Sequence, residues 1–410
     1  MILGKNIESV YSNDRDILKV FSKGKLVWER QNDDIDYTKI PFTISAIADN
    51  VEVILTGKYK CSINGGVWTN GSGTINLQKY DRVRIKSTTV SKCKITGLSD
   101  VFGNIMSLAR YEVPQDSYDI YLENDRFANF FSGSDIRNAC NLILPEILSS
   151  SCCSGMFSGC KSLITAPELP VTKLAWACYE KMFSGCTSLT TAPKLPAKSL
   201  TYNAYRRMFS GCTSLTTAPK LPATNLAGGC YDEMFYNCTS LTTAPELPAT
   251  VMKKTNNLGY GCYHGMFNGC VNLKIAPKLP ATTLAEGCYE RMFYNCISLT
   301  TPPELPATTL AEDCYSYMFA GCTSLTTAPE LPAPILAEEC YDGMFYYATN
   351  LICIKCFADA SQPKHASMYV FDWTTGIKTR GKLICKFDDY DGKNGLEDYI
   401  PSTWTVEYLT

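Results

Sequence analysis

The feature that most constrains this chain is a repeated dipeptide. Met-Phe begins at positions 156, 182, 208, 234, 266, 292, 318 and 344, giving spacings of 26, 26, 26, 32, 26, 26 and 26. A period of this length marks a unit too small to bury its own apolar face, so the units must stack and share one core. The two halves of a copy read Thr239-Ser-Leu-Thr-Thr-Ala-Pro-Glu-Leu-Pro-Ala249 and Thr309-Leu-Ala-Glu-Asp-Cys-Tyr-Ser-Tyr-Met-Phe-Ala-Gly-Cys322. A degenerate first copy at Phe130-Phe131 brings the expected number of coils to nine. The single long spacing comes from six extra residues within Ala249 to Asn257, where a loop can bulge outward without disturbing the stack.

Within a copy, Leu284, Cys288, Met292 and Cys296 are spaced by four, and Tyr289 and Phe293 form a second stripe beside them. This pattern predicts a short helix with one apolar face. Tyr294-Asn295, or Ser-Gly in sister copies, is a turn pair that would end it. Ser214 to Ala218 are β-formers, Pro219 stops the strand, and Leu221-Pro222 makes a corner. The expected fold is therefore a solenoid of leucine-rich type, with one short strand and one short helix per coil. Its core ladder would include Met182, Met292, Phe183, Phe293, Cys178, Cys186, Cys230, Cys238, Cys288 and Cys296.

There are 21 cysteines. Four residues before the repeated methionine lie cysteines in every copy but one, which has Ala204; four residues after it lie cysteines in every copy but the last, which has Ala348. Cys212 and Cys340 thus persist where the in-coil partner is lost, which argues against a disulfide within the coil. A helix would also set the two about 12 Å apart. Reduced cysteines filling small buried slots is the expectation. Cys353-Ile-Lys-Cys356 lacks a second pair to complete a zinc site, and Cys152-Cys153 reads as packing. His264 and His365 are the only histidines, so no multi-histidine metal site is available and no cofactor is expected.

The flanks read as β. Residues 1–30 contain three short strands, around Ile7 to Tyr11, Ile17 to Phe21 and Lys25 to Trp28, an attachment meander whose candidate docking residues are Phe21 and Trp28. A polar linker spans 31–38. Residues 39–102 alternate as a small β-sandwich or barrel of about seven strands, with hairpin signals at Asn64-Gly65 and Asn70-Gly71. A junction at 103–126 leads to the solenoid at 127–353, and 354–410 forms a β-rich cap.

Charge and hydropathy exclude several roles. With 38 basic and 40 acidic residues and no block of like charge, there is no field to gather nucleic acid. The start lacks an apolar run of signal-peptide length and no later stretch has 18 uninterrupted apolar residues, so neither membrane insertion nor unaided secretion is expected. A protein of this kind acting outside a cell would leave by lysis or within a particle assembled in the cytoplasm.

The copies carrying Met-Phe-x-x-Cys-x-Ser-Leu and Leu-Pro resemble the BspA-type leucine-rich repeats, in the variant abundant in gut Bacteroidales and their tailed phages, including crAss-like phages. The match covers about 127–353 and departs at Ala204, Ala348 and the insertion. The opening Gly-Lys-x-Ile, Lys-Val-Phe and Leu-Val-Trp-Glu resembles a short β-module of phage and prophage surface proteins. Gly103 to Leu108 is similar to the junction, and Pro401 to Val406 to the ending, of that group. The resemblance implies a fibre, adhesin or host-recognition protein on a virion surface, with no catalytic residues to carry over.

The residues themselves carry no catalytic motif either. Glu312-Asp313 and Glu338-Glu339 are adjacent on the expected helix and diverge by about 100°, so neither pair can bracket a glycosidic bond. Asp388 to Gly395 partly matches a calcium loop but has Lys393 at a ligand position. Phosphate loops, nucleophile elbows and His-Glu-x-x-His are lacking. Two faces could bind instead. Thr216, Thr242, Thr300 and Thr326 would line a hydroxyl row beside a row of Glu168, Lys194, Lys220, Glu246, Lys278, Glu304 and Glu330. At the ends of the expected helices, Tyr236, Tyr294, Tyr317, Tyr346 and Tyr347 replace smaller residues, either exposed for stacking or packed on the next coil. The expected roles are attachment to a host-surface or mucosal glycan or protein, with other virion proteins held by the N-terminal β regions, or structural decoration of a capsid. A homo-oligomer fits either, and a bacterial adhesin is a weaker third.

Overall fold

A computed structural model describes residues 36–109, 122–252, 261–358, 372–386 and 400–409, together with the backbone of three N-terminal strands. Those strands, β1 (Ser9–Asn13), β2 (Asp16–Ser22) and β3 (Lys25–Glu29), form an antiparallel meander. Phe21 pairs with Ser9 and Leu26, and Trp28 with Val20; their side chains lie outside the described residues.

The next region has six strands rather than about seven: β4 (Thr43–Ala46), β5 (Val51–Ile63), β6 (Thr69–Leu77), β7 (Arg82–Lys86), β8 (Lys92–Thr96) and β9 (Ser99–Asn104). They belong to one eight-stranded sheet. Long β5 pairs with β6 along its length, with β8 at Glu52 to Thr56 and with β7 at Lys60 to Ile63. Asn64 (φ 49°) and Gly65 (φ 76°) make the β5–β6 hairpin, as both turn positions require positive φ. Asn70-Gly71 is not a turn. Gly71 lies inside β6 opposite Tyr59, whose ring occupies the space a Cβ would need. Glycine there marks a close approach across strands, a use that sequence alone does not separate from a turn.

The sheet continues directly into the repeats. Gly103, expected to begin a junction, lies in β9, which pairs in parallel with β10 (Ile136–Asn138) and β11 (Leu142–Ile143) of the first copy. Phe42 packs on Phe131 with centroids 5.6 Å apart, Cys93 N–H donates to the Phe130 carbonyl at 2.9 Å, and Arg126 Nη1 donates to the Val90 carbonyl at 2.7 Å.

Successive copies stack in register through parallel bridges. One row runs Asn138, Thr165, Thr191, Thr217, Thr243; a second runs Val251, Thr283, Thr309, Ile335. The expected short helix is absent; the described residues contain no α-helix. Its place is taken by a ribbon of overlapping turns. Glu180, Met182, Ser184 and Cys186 N–H groups donate three residues back, to Ala177, Tyr179, Lys181 and Phe183. The alternate N–H groups of Ala177, Tyr179, Lys181, Phe183 and Gly185 donate to the next copy, at Tyr202, Ala204, Arg206, Met208 and Ser210. Every fourth residue has positive φ, as at Ala177 (49°), Lys181 (54°) and Gly185 (73°).

The physical reason lies in the period. A helical stripe repeating every four residues drifts by about 40° per step, so three steps carry it well off one face. An exact four-residue period is the signature of this ribbon, which places Leu284, Cys288, Met292 and Cys296 in line without drift. Half its N–H groups bond between copies, so no copy is satisfied alone.

The core is a set of ladders. Phenylalanines from Phe157 to Phe345 stack at 5.7–5.9 Å and end on Trp373 at 6.4 Å. Seven buried tyrosines from Tyr179 to Tyr341 stack beside them at 5.6–6.2 Å. At the far end, β12 (Thr327–Leu331), β13 (Cys353–Cys356), β14 (Lys382–Lys386) and β15 (Thr405–Leu409) form a parallel sheet that continues the pairing of the copies.

Candidate recognition faces

The bridge rows between copies carry the first face, since most copies are joined there by isolated parallel bridges and not by the full strand expected. Leu215 and its equivalents are fully buried, which leaves Thr216, Thr242, Thr300 and Thr326 exposed one residue on. The following threonines, Thr217, Thr243, Thr301 and Thr327, are exposed as well, doubling the hydroxyl row. Glu168, Lys194, Lys220, Glu246, Lys278, Glu304 and Glu330 are all exposed alongside. Ile164, Ile275 and Ile352 interrupt the threonine rows as exposed apolar residues.

The tyrosines divide. Tyr236 and Tyr294 are half-buried in one column, separated by Asn268 of the intervening copy. Tyr317, Tyr346 and Tyr347 come together: Tyr317 meets Tyr346 edge-on at 6.1 Å, and Tyr346 meets Tyr347 at 4.6 Å. Tyr347 is 51% exposed, and its ring covers Gly376 of the next turn. Of the five, Tyr347 alone is exposed; the other four are half-buried.

A third face, absent from the sequence reading, is an ion-pair spine along the ribbon. The residue after each ladder tyrosine runs Glu180, Arg206, Asp232, His264, Glu290 in consecutive copies. Arg206 bonds Glu180 at 3.2 Å and Asp232 at 2.7 Å; Asp232 bonds His264 Nδ1 at 2.7 Å. Asp232 and His264 are buried. Alternation of sign at a fixed offset from Cys-Tyr was the available signal. Asp232, Glu233 and His264 lie close enough to share a metal ion, but Arg206 and Arg207 already hold the two carboxylates, and a cation would have to displace both guanidinium groups.

The cysteines are free thiols and nearly all buried; Cys140 is exposed and Cys353 partly so. Their chemistry is more specific than slot filling. Cys160, Cys186, Cys212, Cys238, Cys270, Cys296 and Cys322 each donate S–H to a phenylalanine carbonyl of the preceding copy at 3.1 Å. Burial pushes the thiols of Cys178, Cys212, Cys230 and Cys288 up to about 12, far from a reactive thiolate. Cys353 and Cys356 are an odd number of residues apart on β13 and so face opposite sides of the strand. The loop at Asp388 to Gly395 lies outside the described residues.

These features define a strand-rich repeat protein whose copies share one ladder core. A family model for the BspA type leucine-rich repeat region matches residues 128–264 and 232–377, in six copies, and the chain belongs to that family. No curated protein matches it. BspA-like repeats indicate a surface or adhesion-type protein. None of the described helices is long and apolar enough to cross a membrane.

Proposed function

We propose that the protein is a non-enzymatic virion surface protein of a Bacteroidales phage, a fibre-like solenoid that attaches to a host-surface or mucosal glycan or protein. The observation carrying this reading is the double row of exposed threonines in register beside an exposed row of mixed charge. Rows repeated at copy spacing match a polymer of repeating polar groups better than a compact ligand, since each copy adds the same few weak contacts. The N-terminal meander and the β4–β9 sheet would face the particle. Their sheet bonding to the first copy would hold the stack at a fixed angle to whatever anchors them.

The test is binding of the full chain to a glycan array and to host cells. Replacing Thr216, Thr242, Thr300 and Thr326 together by alanine is expected to lower binding more than tenfold with the urea midpoint nearly unchanged. Particles that carry the chain while it binds neither glycans nor cells would favour structural decoration of the capsid instead.

A further inference from the structure

The ion-pair spine stops before the stack does. Up to Glu290 each charged side chain meets a partner one copy on. In the neighbouring column Arg207 reaches Glu233 at 2.5 Å, and Arg291 is the last cation of that column among the described residues. Its guanidinium lies 3.5 Å from Glu290 and 5.4 Å from the centre of the Tyr317 ring. The following copies place Ser316 and Asp342 in one column, Tyr317, Gly343 and Asp372 in the other, and Asp313 and Glu339 beside them. None of these is cationic. Oδ1 of Asp342 is buried without a hydrogen-bond partner.

We infer that the tyrosine and carboxylate patch at the C-terminal end of the ribbon docks a lysine side chain of a partner protein. Charge complementarity sets the sign, because carboxylates that are paired by arginine or histidine in earlier copies here face one another. Arg291 already shows the arrangement within the chain, a cation held between a carboxylate and a tyrosine face. The geometry favours a slender chain over a sugar. Tyr317, Tyr346 and Tyr347 meet at 64° and 62°, which makes a corner for an alkyl stem with an ammonium tip, not a flat platform for a pyranose ring. An ammonium also offers three diverging donors to carboxylates on adjacent copies. The site uses none of the threonines of the exposed rows and does not depend on their role.

The test is calorimetric titration of the full chain at low salt with a short oligolysine peptide, its fully acetylated form, and a chitosan oligomer. Oligolysine is expected to bind, acetylation to weaken binding at least tenfold, and molar salt to weaken it similarly. Asp342→Asn and Tyr347→Ala should each lower oligolysine affinity at least tenfold, Tyr347→Phe should retain it, and Thr216→Ala should leave it unchanged. The inference is overturned by absence of oligolysine binding, by equal binding of the acetylated peptide, by binding indifferent to Asp342 and Tyr347, or by binding of chitosan alone. Because Thr216→Ala reports on the threonine face separately, failure here and failure of attachment through that face give different results.

Discussion

The thiol of Cys212 donates to the carbonyl oxygen of Phe183 in the preceding copy at 3.1 Å, while the same carbonyl accepts the Cys186 N–H of its own turn. One oxygen thus closes a turn and ties two copies together. Serine could donate as well, but in a dry slot both lone pairs of its hydroxyl oxygen would go unsatisfied, and alanine would leave the carbonyl with one bond. Cysteine supplies a weak donor on an apolar body.

This arrangement predicts a sharp contrast in thiol reactivity. In the native protein only Cys140 and Cys353 should react readily, whereas denaturation should release all 21 thiols. Cys212→Ala should lower stability by about 1–2 kcal/mol, from one lost hydrogen bond and a small void. Rapid native labelling of Cys212, or few thiols after denaturation, would contradict the ladder.

A second prediction concerns contacts between neighbouring copies at positions of positive φ. Asn295 (φ 56°) lays its side-chain oxygen where a Cβ on Gly321 (φ 72°) would stand. Gly321→Ala should therefore destabilise by about 2–3 kcal/mol, combining backbone strain with the clash. Adding Asn295→Gly should recover the steric part and leave the strain, and a double-mutant cycle in urea measures the coupling. A coupling near zero would show that the two residues do not meet.

The same positions show how much was legible in the sequence. Strand alternation would bury one threonine of each successive pair, so their joint exposure is not predicted, whereas the 26-residue period and the buried leucines follow from spacing alone. The ribbon did not, because four-residue spacing is the usual mark of a helix and tertiary hydrogen bonding between copies is invisible within one copy. Glycine or asparagine at Gly185, Gly211, Asn237, Gly269 and Asn295 reads in the sequence as a turn ending a helix; it is instead the last of the positive-φ positions that recur every fourth residue along the ribbon. The neighbours of a carboxylate are likewise invisible within one copy. Stacking brings Asp313 toward Glu290 and Glu339 of other copies, a neighbourhood defined by the period and not by adjacency. Gly103, which reads in the sequence as the start of a junction, is part of β9, and truncation there would open the sheet.

The acidic end of the ribbon should make stability rise as pH falls. Burial first, and neighbouring carboxylates second, raise Asp313 to about 7 and Asp342 to about 6, from an ordinary value of 3.8. Each binds its proton more tightly when folded, so the stabilisation is complete below about pH 4 and is lost as pH rises through 6 to 7. Both side chains are partly solvated, which limits the size of the effect. Urea midpoints of the wild type should increase from pH 8 to pH 5, and Asp313→Asn with Asp342→Asn should flatten that slope while raising the midpoint at pH 8. The same protonation removes the charge that would hold an ammonium group, so oligolysine affinity should fall over this range. Parallel slopes in wild type and variant would rule out these two groups as the source.

The spine offers the strongest test of how the copies are coupled. Arg206 bridges Glu180 of one neighbour and Asp232 of the other, and Asp232 is 1% exposed with His264 on its far side. Arg206→Met removes the guanidinium but keeps much of the stem, leaving a buried carboxylate with only the imidazole to balance it; the expected loss is about 3–5 kcal/mol. Removing the acceptor too, in Arg206→Met with Asp232→Leu, deletes the uncompensated charge and should recover most of that loss, because a paired buried charge adds little over apolar packing. Denaturation followed by urea, with both single variants and the double, reads this directly. A double variant as unstable as the sum of the singles would mean that Arg206 and Asp232 act separately, and that the spine is a row of local contacts and not a connected element of the stack.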